Sequence, residues 1–251
     1  VGLIFFLLYA PIAVLIVCSF NASKARTVWG GFTLDWYIQL FQNEEVIHAV
    51  QTSLLLTTSA ALIATILGTL ACIGMTVMSK RAQSVITTIT NIPMLNADIV
   101  TGIAIMLLFV RFMSLGYASM LIGHVTLGIP YVILNVTPRL RSTSKTTYEA
   151  ALDLGCPPAR ALKKVILPQV MPGVVTGALL SFTMSLDDFV ISYFTSVRTQ
   201  NLSMLIYSMT RRKVPPTINA LSAIMFLTVL ALLLGLVPVG VAAEDAADPT
   251  L

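Results

Sequence analysis

The fold is decided by the segment EAALDLGCPPARALKKVILP, residues 149–168, which is a polar loop between two long apolar stretches. Its first six residues, starting at Glu149, predict a short helix. Two successive alanines, Ala150 and Ala151, keep one face of that helix flat and allow close approach by another protein. Gly155 suits the left-handed conformation that commonly ends such a helix. The first half of the segment therefore predicts a helix that presents a small-residue face to a partner.

The second half of the segment predicts a turn followed by another helix. Pro157 and Pro158 favour the turn, and a proline is well tolerated in the first turn of the helix that follows. Three basic residues give that helix a polar face: Arg160, Lys163 and Lys164. Leu167 and Pro168 then lead into the next apolar stretch. A simple connection would not need this helix–turn–helix arrangement, so we expect the segment to have a partner.

The composition is that of an integral membrane protein. Hydrophobic residues make up 57% of the chain and charged residues only 10%, whereas a soluble domain carries roughly a quarter charged residues. The mean hydropathy is +0.89. The net charge of +4 does not indicate nucleic-acid binding, because so few charges cannot form a patch. Cys18, Cys72 and Cys156 are far apart, so we expect free thiols and no metal site.

Hydropathy predicts an all-α polytopic membrane protein with six transmembrane helices. Each span has the ~20 apolar residues that a bilayer core requires, and internal backbone hydrogen bonding makes each span a helix. The predicted spans cover about residues 2–20, 50–78, 84–111, 116–137, 170–194 and 217–239. The first is read as a span and not as a signal peptide, because it lacks a small-residue cleavage site. All six are expected to form one domain over residues 1–241, followed by a polar tail over 242–251.

Six positions of the central segment resemble the cytoplasmic loop that the membrane subunits of ABC importers present to their ATPase. The matching residues are Glu149, Ala150, Ala151, Gly155, Leu167 and Pro168. Val165 departs from the family, which usually has isoleucine there. The resemblance implies a type I ABC-importer permease fold in which these six residues couple to the ATPase. We name the whole predicted loop, residues 140–168, the coupling loop.

Further segments narrow the resemblance to the permeases of spermidine/putrescine importers. They are Ser19-Phe20-Asn21, Gly31-Phe32-Thr33, Trp36-Tyr37, Ala97-Asp98-Ile99-Val100 and Ser185-Leu186-Asp187-Asp188, and the similarity runs from about residue 8 to residue 230. This resemblance implies a bacterial inner-membrane protein that works with a PotB-like second permease, a PotA-like ATPase dimer and a PotD-like extracellular substrate-binding protein. ATP and Mg²⁺ would be bound by the ATPase, and this chain would need no cofactor.

The orientation of the chain follows from the coupling loop. With both termini in the cytoplasm, the internal loops carry eight basic residues and the outer loops seven, which is a weak positive-inside bias. The cluster Arg211-Arg212-Lys213 then falls outside and argues for the opposite orientation. The resemblance decides the matter, because the ATPase that it implies lies in the cytoplasm.

Ionisable residues inside the predicted spans indicate a substrate pathway, because such residues usually face a bundle interior or a water cavity. Helical spacing puts polar residues on one face of each of three spans. These residues are Thr87, Asn91, Asp98 and Thr101; His124, Gly128, Tyr131 and Asn135; and Gly177, Ser181, Ser185, Asp188 and Ser192. A polycationic cargo needs acidic groups and aromatic faces. We therefore expect Asp98 and Asp188 to line the pathway together with Ser185 and Tyr131, and Asp187 to be a weaker candidate.

Several of these residues have simpler interpretations. The glycine, serine and threonine positions suit helix–helix packing, and His124 suits a hydrogen bond within the bundle. Asp187 and Asp188 could be solvated at the membrane surface. Trp29, Trp36 and Tyr37 suit interfacial anchoring.

Other functional classes fit the sequence less well. An intramembrane metalloprotease would need paired histidines, yet the chain has only His48 and His124, in separate segments. A gated channel would not need the coupling loop. The sequence has no phosphate-binding Gly-x-x-x-x-Gly-Lys-Ser/Thr motif, so this chain is not expected to hydrolyse ATP. The alternative within the transporter class is another cargo, such as ferric ion or thiamine.

Overall fold

The structure, a computed structural model, describes residues 2–23, 28–143, 145–197, 199–212 and 215–245 as a mainly helical chain. The helices are α1 (Gly2–Ser19), α2 (Asp35–Gln42), α3 (Glu44–Met75), α4 (Lys80–Leu95), α5 (Asp98–Phe112), α6 (Tyr117–Ser142), α7 (Lys145–Asp153), α8 (Pro158–Ala161), α9 (Leu167–Asp187), α10 (Val190–Thr195), α11 (Leu202–Arg212) and α12 (Thr217–Asp245). A π-helical turn, Leu162–Ile166, joins α8 to α9. Asn21 and Phe32 form an isolated antiparallel β-bridge.

Four helices of the described residues are long and apolar enough to cross a membrane. They are α1, α3, α6 and the continuous stretch Pro158–Asp187. The bent pair α4 and α5 would make a fifth span. In α12 the described apolar part, Thr217–Ala231, is shorter. The predicted tail over 242–251 overlaps the end of α12, and residues 246–251 lie outside the described residues.

The single helix expected over residues 84–111 is instead two helices, α4 and α5, which are bent by 107° relative to each other. Pro93 in the last turn of α4 cannot donate a backbone hydrogen bond to the carbonyl of Ile89. Asn96 and Ala97 then adopt extended backbone conformations, with ψ angles of 153° and 134°. The polar face expected to run from Thr87 to Thr101 is therefore interrupted.

The helix expected over residues 170–194 is also broken. α9 ends at Asp187, and Asp188 is extended, with φ −67° and ψ 115°. The Asp188 carboxylate accepts the backbone N–H groups of Ile191 and Ser192 at 3.3 and 3.2 Å. It thereby satisfies two donors that the first turn of α10 would leave open. The same side chain therefore marks the break and starts the next helix.

Packing divides the chain into two compact units, whereas the sequence predicts one domain over residues 1–241. The first unit comprises Val1–Ser53 and Gln200–Leu234. Its core contains Leu40, Val46, Leu205 and Leu221. Ser53 Oγ accepts the backbone N–H of Leu202 at 2.7 Å, which ties α3 to the start of α11.

The second unit comprises Leu54–Thr199 and Gly235–Leu251, and its centre is the packing of α6 against α9. Two glycines of α9 allow the helix backbones to touch. A Cβ atom on Gly177 would lie 2.9 Å from Val132 Cα, and one on Gly173 would lie 2.7 Å from the carbonyl oxygen of Asn135. Small residues serve this purpose widely in membrane helix pairs. This close contact fixes which face of α9 meets α6.

Candidate functional site

A cavity of about 270 Å³ lies in the second unit, where the break between α4 and α5 and the break between α9 and α10 both face α6. All five residues predicted to line a substrate pathway line this cavity. They are Asp98, Tyr131, Ser185, Asp187 and Asp188. The other lining residues are Pro93, Met94, His124, Leu127, Gly128, Ser181, Met184, Phe189 and Val190. We name this cavity the acidic cavity.

The two helix breaks bring its carboxylates together. Asp98 is the first residue of α5, Asp187 is the last residue of α9, and Asp188 lies in the break before α10. The break segments are held in place because α5 packs against α10, with Gly102 close to the ring of Phe194. Asp98 and Asp187 are exposed, whereas the Asp188 side chain is only 13% exposed. No lysine or arginine is among the described residues that line the cavity, so it suits a cation.

His124 is the centre of a buried hydrogen-bond chain beside these carboxylates. Its Nδ1 lies 2.8 Å from Ser185 Oγ, and its Nε2 lies 2.9 Å from Ser192 Oγ. Nε2 is also 3.7 Å from the Asp188 carboxylate. The residue is only 2% exposed. It therefore connects α6 to α9 and to α10 across the break at Asp188.

The directions of these hydrogen bonds bear on the tautomer of His124. Ser192 Oγ donates its only proton to the carbonyl oxygen of Asp188 at 3.2 Å. With its proton used in this way, the hydroxyl accepts from His124, which corresponds to the tautomer that carries the proton on Nε2. A neutral imidazole then accepts on Nδ1 from the hydroxyl of Ser185. The two serine contacts therefore suit a neutral imidazole, in which one ring nitrogen donates and the other accepts.

We expect His124→Ala to destabilise the protein, because it leaves the buried hydroxyls of Ser185 and Ser192 without this partner. The expected loss is about 1–3 kcal/mol, measured as a lower thermal unfolding midpoint of the purified protein in detergent. His124→Gln should be milder, since its amide can still donate and accept. His48→Ala is the matched control, because His48 is exposed. Equal midpoints for His124→Ala and the parental protein would contradict the bridging role.

Ser181 adds an unused hydrogen-bonding group to the cavity wall. Its Oγ is buried, and the residue is 1% exposed. The hydroxyl has no hydrogen-bond partner among the described residues. Most buried polar groups are hydrogen-bonded, so this hydroxyl can accept from or donate to a ligand. Tyr131 contributes a half-buried aromatic ring on the α6 side of the same cavity.

The structure regroups the predicted polar faces. Ser181, Ser185 and Asp188 line the acidic cavity, and Ser192 is joined to them through His124. Gly177 serves packing instead, as its contact with Val132 requires. Thr87, Asn91, Thr101 and Asn135 do not line this cavity. Thr87, Asn91 and Thr101 were expected on one continuous helical face, and the break after α4 interrupts that face.

His124 itself was not among the predicted pathway residues. The simpler interpretation of His124, as a residue that forms hydrogen bonds within the helix bundle, agrees with its contacts to Ser185 and Ser192. Helical spacing puts His124 on the same face of its helix as Tyr131, seven residues further along, and both residues line the cavity.

The coupling loop has the predicted turn between two helices, although α7 begins at Lys145, four residues before the predicted start at Glu149. α7 ends at Asp153, and Gly155 has a φ of 81°. The N–H of Cys156 donates to the carbonyl of Ala151 at 3.1 Å, and the N–H of Gly155 donates to that of Leu152 at 2.8 Å. This pair of bonds is the Schellman motif, in which a left-handed glycine ends a helix. α8 then begins at the second of two prolines.

The residues predicted to contact an ATPase are accessible. Glu149, Ala150, Gly155 and Pro168 are exposed, and Ala151 and Leu167 are half-buried. Leu154, at the tip of the turn, is 89% exposed. An exposed leucine beside small residues and a carboxylate forms a mixed surface that a partner protein could cover.

The aromatic residues of the first unit divide into two groups. Trp36 is buried, and its indole N–H donates to the carbonyl of Asn21 at 2.7 Å. The Tyr37 hydroxyl lies 2.7 Å from Ser19 Oγ. Trp36 is therefore a packing residue and not the interfacial anchor suggested by the sequence. Trp29 is 57% exposed and remains available for that role.

Residues 64–244 match the family described as binding-protein-dependent transport system inner membrane component. The chain is 40% identical over 227 residues to the spermidine/putrescine transport system permease protein PotC of Haemophilus influenzae, covering 90% of this chain and 88% of that protein. It is 37% identical over 229 residues to PotC of Escherichia coli K12, covering 90% of this chain and 87% of that protein. The chain is 36% identical over 229 residues to the putrescine transport system permease protein PotI of Escherichia coli K12, covering 88% of this chain and 82% of that protein.

The fold is shared with solved transporters. A crystal structure of a bacterial ABC transporter involved in the import of the acidic polysaccharide alginate matches with a TM-score of 0.68 at 17% identity, covering 98% of this chain and 92% of that chain. A second structure shows a bacterial alginate ABC transporter in complex with a periplasmic protein that is bound to an alginate pentasaccharide. It matches with a TM-score of 0.67 at 16% identity, covering 97% of this chain and 90% of that chain. These likenesses establish the permease fold.

Proposed function

Because the chain belongs to the family of inner-membrane components of binding-protein-dependent transport systems, we propose that it carries polyamines into the cell as one permease subunit of an ATP-driven importer. The observation that carries the polyamine assignment is the acidic cavity, where three carboxylates meet without a lysine or arginine in the lining. The names of the relatives, which specify spermidine and putrescine, support the same cargo.

The geometry of the cavity suits an ammonium group. Asp98 and Asp188 supply charge-assisted acceptors, which are stronger than neutral ones. The free hydroxyl of Ser181 supplies a further acceptor, and the ring of Tyr131 can add a cation–π contact. Asp187 is exposed at the edge of the cavity, where it can attract a second ammonium of the same molecule. A cavity of about 270 Å³ holds one end of a polyamine while the remainder extends toward the open side.

A second permease completes the pathway in this proposal. Asp98 and Asp187 are exposed in the isolated chain, and a charged side chain facing lipid would be costly. A PotB-like subunit would cover them and close the route. A PotD-like binding protein would deliver the cargo from outside, and a PotA-like ATPase dimer would hydrolyse ATP in the cytoplasm.

The coupling loop is proposed to transmit the movement of the ATPase. Glu149, Ala150, Ala151 and Gly155 form the helix and turn that would fit the ATPase surface. Leu167 and Pro168 begin α9, whose other end lies at the acidic cavity. Near-rigid motion of α9 would then alternate access to the cavity. In this proposal the coupling loop and both termini lie in the cytoplasm of a bacterial cell.

The proposal is tested by transport in proteoliposomes that contain this chain with a PotB-like second permease, a PotA-like ATPase and a PotD-like binding protein. We expect ATP-dependent uptake of radiolabelled spermidine or putrescine. Ferric ion and thiamine are offered in parallel as the alternative cargoes. Uptake of either alternative, with no uptake of either polyamine, would overturn the cargo assignment.

We also expect the chain to be inactive without a second permease, because its acidic cavity is open on one side. Proteoliposomes with this chain, the ATPase and the binding protein should show no ATP-dependent spermidine uptake. The complete complex, at the same amount of this chain, is the control. Spermidine uptake by the incomplete set at the rate of the complete complex would contradict the shared pathway.

A further inference from the structure

One face of α4 is polar along most of its length. Its polar residues recur at intervals of three and four, so they share one side of the helix. They are Lys80, Gln83, Ser84, Thr87, Thr88 and Asn91. The face ends at Asn91, two residues before Pro93 and three before Met94, both of which line the acidic cavity. We name these six residues the polar track.

The polar track borders open space. Two adjoining clefts, of about 470 and 440 Å³, lie along it. Both are lined by Lys80, Gln83, Thr87 and Arg141, and Thr137 of α6 lines the second. A row of hydroxyl and amide groups beside a cleft suits water and polar cargo better than lipid.

The clefts open on the same side of the chain as the coupling loop. Arg141 is the penultimate residue of α6, and α7 of the coupling loop begins at Lys145. The polar track therefore runs from the side of the coupling loop toward the acidic cavity. If that loop contacts the ATPase, as the proposed function requires, the clefts open to the cytoplasm.

The charged residues change sign between the acidic cavity and the two clefts along the polar track. Three carboxylates line the acidic cavity, whereas the described lining of the two clefts contains Lys80 and Arg141 and no carboxylate. Neither cation forms an ion pair within the part of the chain that the structure describes. Rings of charge of one sign select against ions of that sign in pores. A polycation entering from the cytoplasm would meet this positive mouth first.

We propose that the polar track is the inward exit of the transport route, and that Lys80 and Arg141 hinder cytoplasmic polyamine from re-entering the acidic cavity. This inference rests on the proposed function. Neutral residues in the middle of the track give a leaving polyamine hydrogen-bond partners without binding it tightly. The two cations also repel a polyamine that is bound in the inward-open route, which weakens its binding from the cytoplasm and so reduces inhibition by cytoplasmic polyamine.

The test uses the complete complex in proteoliposomes loaded with ATP and with increasing internal spermidine. The binding protein delivers labelled spermidine from outside. Each initial uptake rate is divided by the rate of the same variant in vesicles without internal spermidine. We expect the double variant Lys80→Gln/Arg141→Gln to be half-inhibited at a roughly tenfold lower internal concentration than the parental complex. Arg81→Gln is the control, because Arg81 is an adjacent cation that lines neither cleft.

Each outcome bears on one of the two proposals. Equal half-inhibiting concentrations for the double variant and the parental complex would overturn the role of the two cations and leave the proposed function intact. A parental complex that transports no polyamine would overturn the proposed function itself. If Arg81→Gln shifts as far as the double variant, general surface charge is the cause, and the assignment to the mouth is wrong.

A second pair of variants tests the route without changing charge. Thr87→Leu fills the cleft and is expected to lower uptake from outside by roughly tenfold. Thr90→Leu is the matched control, because Thr90 lines neither cleft and its hydroxyl bonds the carbonyl of Ile86. Equal uptake by the two variants, at equal abundance in the membrane, would show that cargo does not pass along the track.

Discussion

Gly155→Val is expected to abolish the stimulation of ATP hydrolysis by the loaded binding protein while leaving the protein in the membrane. Gly155 has a φ of 81°, in the region that β-branched residues avoid. A Cβ atom there would meet nothing within 4 Å, so crowding is not the reason. The left-handed conformation costs a non-glycine residue about 1–2 kcal/mol. That cost is enough to rearrange the exposed turn between α7 and α8, but it is too small to unfold a stable domain.

Gly155→Asn is the matched variant for this experiment, because asparagine tolerates the left-handed conformation. We expect it to retain most of the stimulation. Both variants are reconstituted with the ATPase and assayed with and without loaded binding protein. Normal stimulation in Gly155→Val would show that the geometry of this turn is irrelevant to coupling.

Asp98→Asn and Asp188→Asn should each lower initial polyamine uptake by roughly tenfold or more, because each removes a charge-assisted hydrogen bond worth ~1.5–3 kcal/mol. The asparagine at position 188 can still accept the N–H groups of Ile191 or Ser192, since asparagine and aspartate cap helices about equally well. The variant therefore removes charge while it preserves the start of α10. Asp187→Asn should have a smaller effect, because Asp187 is exposed at the edge of the cavity.

The measurement is uptake of labelled spermidine by the complete complex at equal membrane abundance of the three variants. Asp35→Asn serves as the control, because Asp35 is an exposed carboxylate at the start of α2, outside the unit that contains the acidic cavity. If both Asp98→Asn and Asp188→Asn transport at the parental rate, these carboxylates are structural and the cavity is not the cargo site.

The coupling loop shows which features are readable from sequence. Its turn depends on Gly155 and on the two prolines that follow, and each acts through the conformation of its own backbone. Local chemistry of this kind does not depend on distant contacts. The helix, the left-handed glycine and the second helix were therefore predictable.

The acidic cavity could be predicted only in part. Hydropathy identified Asp98, Asp187 and Asp188 as unusual, but a window of about 20 residues averages over a break. It could not detect that Pro93 and Asn96 divide one expected span, or that Asp188 divides another. The meeting of the two breaks depends on packing between helices that are far apart in sequence. The partners of His124 are fixed by the same packing, as is the burial of Trp36.

The glycine contacts between α6 and α9 join the two helices so closely that we expect them to move together as one rigid body. α9 has 21 residues, which is a length of about 30 Å, and it runs from the coupling loop to the acidic cavity. A tilt of roughly 10° about one end would carry the other end through about 5 Å. α6 enters the coupling loop, and α9 leaves it. The backbone contacts at Gly173 and Gly177 prevent either helix from yielding alone. In the proposed mechanism, a small displacement of the coupling loop would therefore be transmitted along both helices to the carboxylates.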